Sequence, residues 1–300
     1  MTPPTAAPSG LAAGYARLRS GAPAAVRGRV ALVWVEGPDA AGFLHGLLSN
    51  DIAGLAPGSA RAALMLDAKG HVRADLRVRS DGDGAFTLLV RPELADDVAA
   101  TLERYHFSED LEILGPETAQ LITVTGGVAI PEGVAQITVA GALPGSVELV
   151  VDDAGAAIAA LALEEAPAEA LELARIAAGV PLVGVDTGPT TLVQEAGLET
   201  GAVSFDKGCY LGQETVARIA FRGHVNRRLR GLALGEPAAP GAAITRGGRE
   251  VGRLTSASVA PDLGPIGLGV IRHEVEVGAA VDVEGSAVTA RVVELPFPVA

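Results

Sequence analysis

Short apolar runs, each closed by glycine, proline or a polar pair, divide this chain into compact elements. Residues 29–36 (RVALVWVE) read as a strand stopped by Gly37 and Pro38. A helix is expected from Asp39, with Phe43, Leu44, Leu47 and Leu48 on one face, ending in the polar corner Ser49-Asn50-Asp51. Residues 61–66 and 71–79 pair as a hairpin about the turn Asp67-Ala68-Lys69-Gly70. In its second strand Val72, Ala74, Leu76 and Val78 alternate with Arg73, Asp75, Arg77 and Arg79, so one face is buried and the other wet. A strand at 85–90 leads to a helix opened by Pro92. The acids Glu93, Asp96 and Asp97 suit the positive end of its dipole, and Leu94, Val98, Leu102 and Tyr105 form its stripe.

From residue 111 the pattern predicts strands at 120–125, 136–139 and 147–151, then helices at 154–163 and 168–178. The second helix stops at Gly179, with Pro181 beyond. A long polar connection, 184–201, follows. After Asn226, short strands at 230–234, 242–245, 249–254, 266–271, 280–283 and 287–293 alternate with Gly and Pro turns, the spacing of a small all-β barrel. The chain is therefore expected to be α+β. The expected units are a disordered leader (1–20), a first α+β module (21–110, completed by part of 180–226), a second (111–226) and a C-terminal barrel (227–300).

Composition narrows the function. The net charge is −13, which disfavours nucleic acid and anionic lipid except where positive charge is concentrated. No apolar run reaches the ~18 residues that span a bilayer. The Pro/Ala/Thr-rich start lacks the basic and apolar regions of a signal peptide. A cytoplasmic protein is expected. A single cysteine among 300 residues excludes an intrachain disulfide framework and a self-contained four-thiolate cluster. The five histidines show no metal-ligand spacing, so no metal site is expected. Neither a phosphate-cradling P-loop nor a GxGxxG fingerprint is present.

The chemistry-bearing residues cluster late. Cys209 stands in Lys207-Gly208-Cys209-Tyr210-Leu211-Gly212-Gln213-Glu214. The glycines permit sharp turns, and a neighbouring ammonium favours thiolate; a buried cysteine acting as a small hydrophobe is the plain alternative. Arg218, Arg222, Arg227, Arg228 and Arg230 follow, with His224 and Asn226 among them. Their guanidinium groups fit an anionic ligand or partner, or equally acids on a neighbouring domain. With only Phe221 to stack on, direct nucleic-acid binding is not expected.

These residues carry a resemblance. KGCYLGQETVARIAFRGHVNRRL, FLHGLLSND (43–51), LDAKGHVRADL (66–76) and RIAAGVPLVGVDT (175–187) resemble the YgfZ-type folate-binding proteins, relatives of the aminomethyltransferase of glycine cleavage. The resemblance implies a three-domain ring of two α+β modules and a barrel, with tetrahydrofolate or a derivative near its middle. It implies a role in assembling or maintaining iron–sulfur proteins, tRNA-thiomethylating enzymes among them, with those proteins or cluster-assembly factors as partners. Cys209 carries over as the functional thiol, and Lys207, Gly208, Tyr210, Gly212, Gln213, Glu214 and Arg218 as the motif around it. Asn50, Asp51, Glu195 and Arg222 carry over as cofactor-contacting candidates. The chain departs from the transferase branch where Ala74-Asp75 replaces an acidic pair and where Arg175-Ile176-Ala177-Ala178-Gly179 lacks a glutamate. Aminomethyl transfer by the usual route is therefore not expected. The alternatives are one-carbon transfer with Asp51 or Asp75 as base, and a scaffold that has lost the ligand.

Overall fold

The computed structural model describes residues 9–298. Its elements are α1 (Ser9–Ser20), β1 (Ala24–Glu36), α2 (Ala40–Leu47), β2 (Ala60–Leu66), β3 (Val72–Gly82), β4 (Ala85–Val90), α3 (Pro92–Tyr105), β5 (Glu112–Thr125), β6 (Ile137–Ala140), β7 (Val147–Val151), α4 (Ala154–Ala160) and α5 (Ala168–Ala178). The short α6 (Val193–Ala196) and α7 (Glu199–Ala202) precede α8 (Gln213–Arg222). Six strands follow: β8 (Arg227–Ala233), β9 (Ala243–Arg246), β10 (Arg249–Ala260), β11 (Gly264–Arg272), β12 (Ala280–Val283) and β13 (Ala290–Val293).

One seven-stranded sheet, ordered β2-β3-β4-β1-β5-β7-β6, carries both expected modules. The long β1 joins them by pairing antiparallel with β4 on one side and β5 on the other. A module boundary at 110 thus falls between strands of a continuous sheet. Beneath one half, α2 and α3 bury Phe43, Leu44, Val98 and Leu102 against β1–β4. Beneath the other, α4 packs Ala157 and Ile158 on β5 and β7. The Asp153 carboxylate caps α4 by accepting from the Gly155 and Ala156 N–H groups at 2.8 and 3.0 Å. Strands β8–β13 close into a six-stranded barrel around Leu232, Ile244, Leu254 and Val292.

One expectation is corrected here. Residues 9–20, read as part of a disordered leader, form α1; residues 1–8 lie outside the described part of the chain. Leu11, Tyr15 and Leu18 recur at helical spacing and pack with α5 and the barrel residues Ile266 and Leu268. The leader's composition hid that stripe. The segment 183–216, which lies within the stretch expected to complete the first module, packs on that module. There Val183, Val193, Tyr210 and Val216 meet Leu64, Leu66 and Val72. Within it, the connection read as irregular contains α6 and α7, and α8 follows.

A buried ion pair ties the parts together. Arg175, on α5, donates to the fully buried Asp186 at 2.7 Å and to Ser256 Oγ of β10 at 2.8 Å. Asp186 also accepts from the Leu182 N–H, Thr255 Oγ1 and Ser256 Oγ. Removing the carboxylate strips Arg175, the Leu182 N–H and two barrel hydroxyls of a shared acceptor, with Glu172 still on the guanidinium's other edge, so Asp186→Ala should cost about 1–3 kcal/mol in urea unfolding. A double Arg175→Met/Asp186→Leu chain should lose less than that, because it strands no charge.

Candidate functional site

The last carbonyls of a helix have no intrahelical partner. At the end of α2 a side chain supplies one: Lys207 Nζ donates to the carbonyls of His45, Leu48 and Asn50, the latter two at 2.7 and 3.0 Å. The same ammonium lies 5.0 Å from the centre of the Tyr210 ring. Burial pulls the Lys207 pKa down to about 8, with the Asp51 charge opposing the shift. The ammonium thus donates to the backbone carbonyls that close α2, a role its place beside the thiol in the sequence does not reveal.

The rest of the motif folds around this anchor. The Leu211 N–H donates to the Gly46 carbonyl at 3.1 Å. Gly212 has φ +82°, and a Cβ there would stand 2.5 Å from the Asp67 carbonyl oxygen, so the close crossing over the β2–β3 turn requires glycine. Tyr210 is buried, which pushes its hydroxyl up to about 12. Its N–H donates to Gln213 Oε1 at 3.3 Å. Glu214 lies exposed in the first turn of α8. Between these fixed points Cys209 is exposed. It borders a cleft of about 470 Å³ with Gly46, Ala68, Tyr105 and Gln213. Tyr105 and Leu211 are shared with a neighbouring groove of about 510 Å³ that reaches Arg73, Ala74 and Arg104. Gly208 faces the ring of His45; even a Cβ there would lie 3.8 Å from Nε2. Burial first, then the Lys207 charge, lowers the His45 pKa.

The expected cofactor contacts do not converge. Asn50 is buried and spent on the backbone: Nδ2 donates to the Ala62 and Gly201 carbonyls at 2.8 and 2.9 Å, and Oδ1 accepts from the Asp51 N–H at 2.9 Å. Asp51 accepts from the Gly54 N–H and lies 3.4 Å from Arg61. Glu195 Oε2 accepts from the Leu192 N–H at 3.0 Å at the start of α6. Arg218 and Arg222 are exposed on α8.

The larger cavity, about 730 Å³, lies where the sheet, α5, the 180–182 and 197–202 segments and Pro296 meet. Leu64, Leu89, Leu121, Leu182 and Leu198 line it, with Arg29, Asp75, Arg77, Arg91, Glu148 and Arg175 as its charged groups. Neither Cys209 nor any of the four cofactor-contacting candidates lines it. Most of its charges are engaged. Arg77 donates to the Ala140 carbonyl at 3.0 Å and lies 3.7 Å from Glu148, while Arg175 is held as described. Asp75 Oδ1 and Arg91 Nε, 4.0 Å apart, are both buried without a hydrogen-bond partner, although Arg91 also donates to the Val183 carbonyl. Arg29 is exposed and, among the described residues, pairs with no carboxylate.

Sequence reasoning missed Arg29, Arg91 and His45 and left Asp75 as a secondary candidate. The signal for Asp75 was present: it sits on the wet face of β3, between Arg73 and Arg77. That face looks onto an internal cavity that the alternation cannot distinguish from bulk solvent.

Because Lys207 titrates near 8 in the folded chain and near 10.5 unfolded, the unfolded state binds more protons between those values. Its contribution to stability should therefore rise with pH between about 8 and 10. Urea unfolding at the two ends of that window should show a rise that Lys207→Met removes. At pH 7 the same variant should be less stable than the parent by about 1–3 kcal/mol, from the carbonyls left without a donor.

Residues 27–142 match the GCVT N-terminal domain family, and residues 227–298 match the glycine cleavage T-protein C-terminal barrel domain. The chain is 34% identical over 227 residues to the tRNA-modifying protein YgfZ of Edwardsiella ictaluri, covering 66% of this chain and 68% of the relative. It is 30% identical to that of Cronobacter sakazakii, covering 68% of each. The crystal structure of glycine cleavage system aminomethyltransferase T from Bartonella henselae superposes with a TM-score of 0.80 at 22% identity, covering 98% of this chain and 91% of that one. That likeness establishes the fold. Among the described residues, no helix is long and apolar enough to cross a membrane. On its sequence identity to these relatives and its paired T-protein domains, the chain belongs to the YgfZ family.

Proposed function

We propose that this protein binds tetrahydrofolate or a derivative in the 730 Å³ cavity and supports the assembly or maintenance of iron–sulfur proteins, tRNA-modifying enzymes among them, without aminomethyl transfer. The observation that carries the folate reading is the unspent polar pair on the cavity wall. Asp75 Oδ1 and Arg91 Nε lack a hydrogen-bond partner and face each other only as a loose ion pair at 4.0 Å, on a cavity walled largely by leucines. Asp75 is the acceptor suited to ring N–H groups, and Arg29 is the uncommitted cation suited to a carboxylate tail. Leu64, Leu89 and Leu182 would exclude water from the ring faces. When bound, the folate would supply a nitrogen able to carry a one-carbon unit.

Two features support the non-transferase part. Ala74 and Ala177 stand where the transferase branch carries acids, and both are buried in apolar surroundings. A neutral methyl group cannot accept or hold a proton. The iron–sulfur role is supported by family membership and by the exposed Cys209, whose thiolate could offer a client one sulfur ligand. Any cluster is then cargo passing a protein surface.

The Asp75 carboxylate also favours a second reading, one-carbon chemistry with Asp75 as base. Turnover of tetrahydrofolate with a methylamine-type donor, abolished by Asp75→Asn, would establish that reading over the first.

Calorimetry with 5-formyltetrahydrofolate should show binding that Ala178→Trp, which fills the cavity, weakens by about tenfold or more. Cys209→Ala should bind the same ligand unchanged while failing to restore iron–sulfur enzyme activity in cells lacking the protein. Full restoration would remove the thiol from the mechanism.

A further inference from the structure

The outer face of α8 is unlike the rest of this acidic protein. Arg218, Phe221 and Arg222 bound a shallow hollow of about 360 Å³. Phe221 is 70% exposed, an unusual position for so large an apolar group, and meets the partly exposed Phe205 edge-to-face with ring centres 5.6 Å apart. The chain then leaves α8 through Gly223 and His224 into β8, whose first residues, Arg227 and Arg228, are also exposed. Among the described residues none of these four arginines pairs with a carboxylate; Arg230 alone of the late cluster does, with Glu294 at 3.5 Å. The intramolecular explanation for the cluster therefore fails for four of its five members. The acids nearby in the chain, Asp206 and Glu214, are exposed and form no ion pair with them.

We infer that this face is a docking surface for an acidic patch on a partner protein, with Phe221 as its apolar anchor. The charge pattern selects the occupant. In a chain of net charge −13, four uncompensated guanidinium groups in one short stretch favour a carboxylate-rich surface of limited extent. A long polyanion would run off the patch onto repelling surface. The rings argue the same way. Phe205 and Phe221 meet edge-to-face, which gives a single compact aromatic cluster flanked by arginines, the composition of an interface centre, in place of a row of platforms for successive bases. The face lies on the later turns of the helix that follows the Cys209 motif: α8 starts at Gln213, four residues after the exposed thiol, and Arg218 is on its second turn. A partner seated here is brought to that sulfur whether or not the central cavity holds folate.

Fluorescence anisotropy at low salt tests this on the full chain, using a labelled peptide of alternating glutamate and leucine and a labelled oligouridine of matching length. The peptide should bind, and Arg218→Glu/Arg222→Glu should weaken it about tenfold or more. Arg246→Glu on β9, an exposed charge reversal in the barrel, should leave it unchanged, and Phe221→Ala should weaken it several-fold. These side chains are exposed, so the thermal midpoint should be retained. If the double reversal acts no differently from Arg246→Glu, the docking face does not exist. If oligouridine binds more tightly than the peptide with the same sensitivities, the face reads nucleic acid and the proposal is overturned.

Discussion

The tertiary arrangement depends on one buried ion pair. Arg175 reaches from α5 to Asp186 in the following connection, and both touch Ser256 on the barrel. A guanidinium and a carboxylate removed from water are costly unless almost every donor and acceptor is answered. Here Glu172, the Val180 carbonyl, the Leu182 N–H and two barrel hydroxyls answer them. The arrangement satisfies both charges only when helix, connection and barrel are docked together. It thereby holds the end of α5 and residues 180–182 in place as a wall of the central cavity.

The cavity and the thiol are separate places joined by a short chain of hydrogen bonds. Lys207, two residues before Cys209, donates to the Asn50 carbonyl; the Asn50 amide donates to the Gly201 carbonyl; and Gly201 lines the cavity. Asn50, expected to touch a cofactor, and Lys207 thus hold the frame between the two sites. Their polar groups are engaged by the backbone, which explains a demand for Asn and Lys at these positions without any ligand contact. The thiol loop is correspondingly rigid at both ends and open in the middle, an arrangement suited to presenting sulfur to a macromolecule.

The same logic separates the two arginine populations. Those in the cavity are mostly engaged with carbonyls or acids, and the charge that remains is local and small. Those on α8 and at the start of β8 are uncompensated and lie beside exposed aromatic surface, so their field extends outward, limited by salt to about a Debye length of 8 Å.

Much of this was legible in the chain. Period-two alternation set β3, the stop signals at Gly179 and Pro181 set the end of α5, and glycine-punctuated short strands set the barrel, because these are local steric and solvation preferences. The motif around Cys209 and the arginine cluster were visible as composition. The sequence left open which surface each side chain meets. Alternation marks Asp75 as polar-facing in either case, and only the packing of the sheet against α5 and the 197–202 segment encloses that face as a cavity. Adjacency placed an ammonium beside a thiol, and only the fold shows that its donors go to the carbonyls closing α2, distant in sequence. Long-range burial, which no local pattern encodes, decided both.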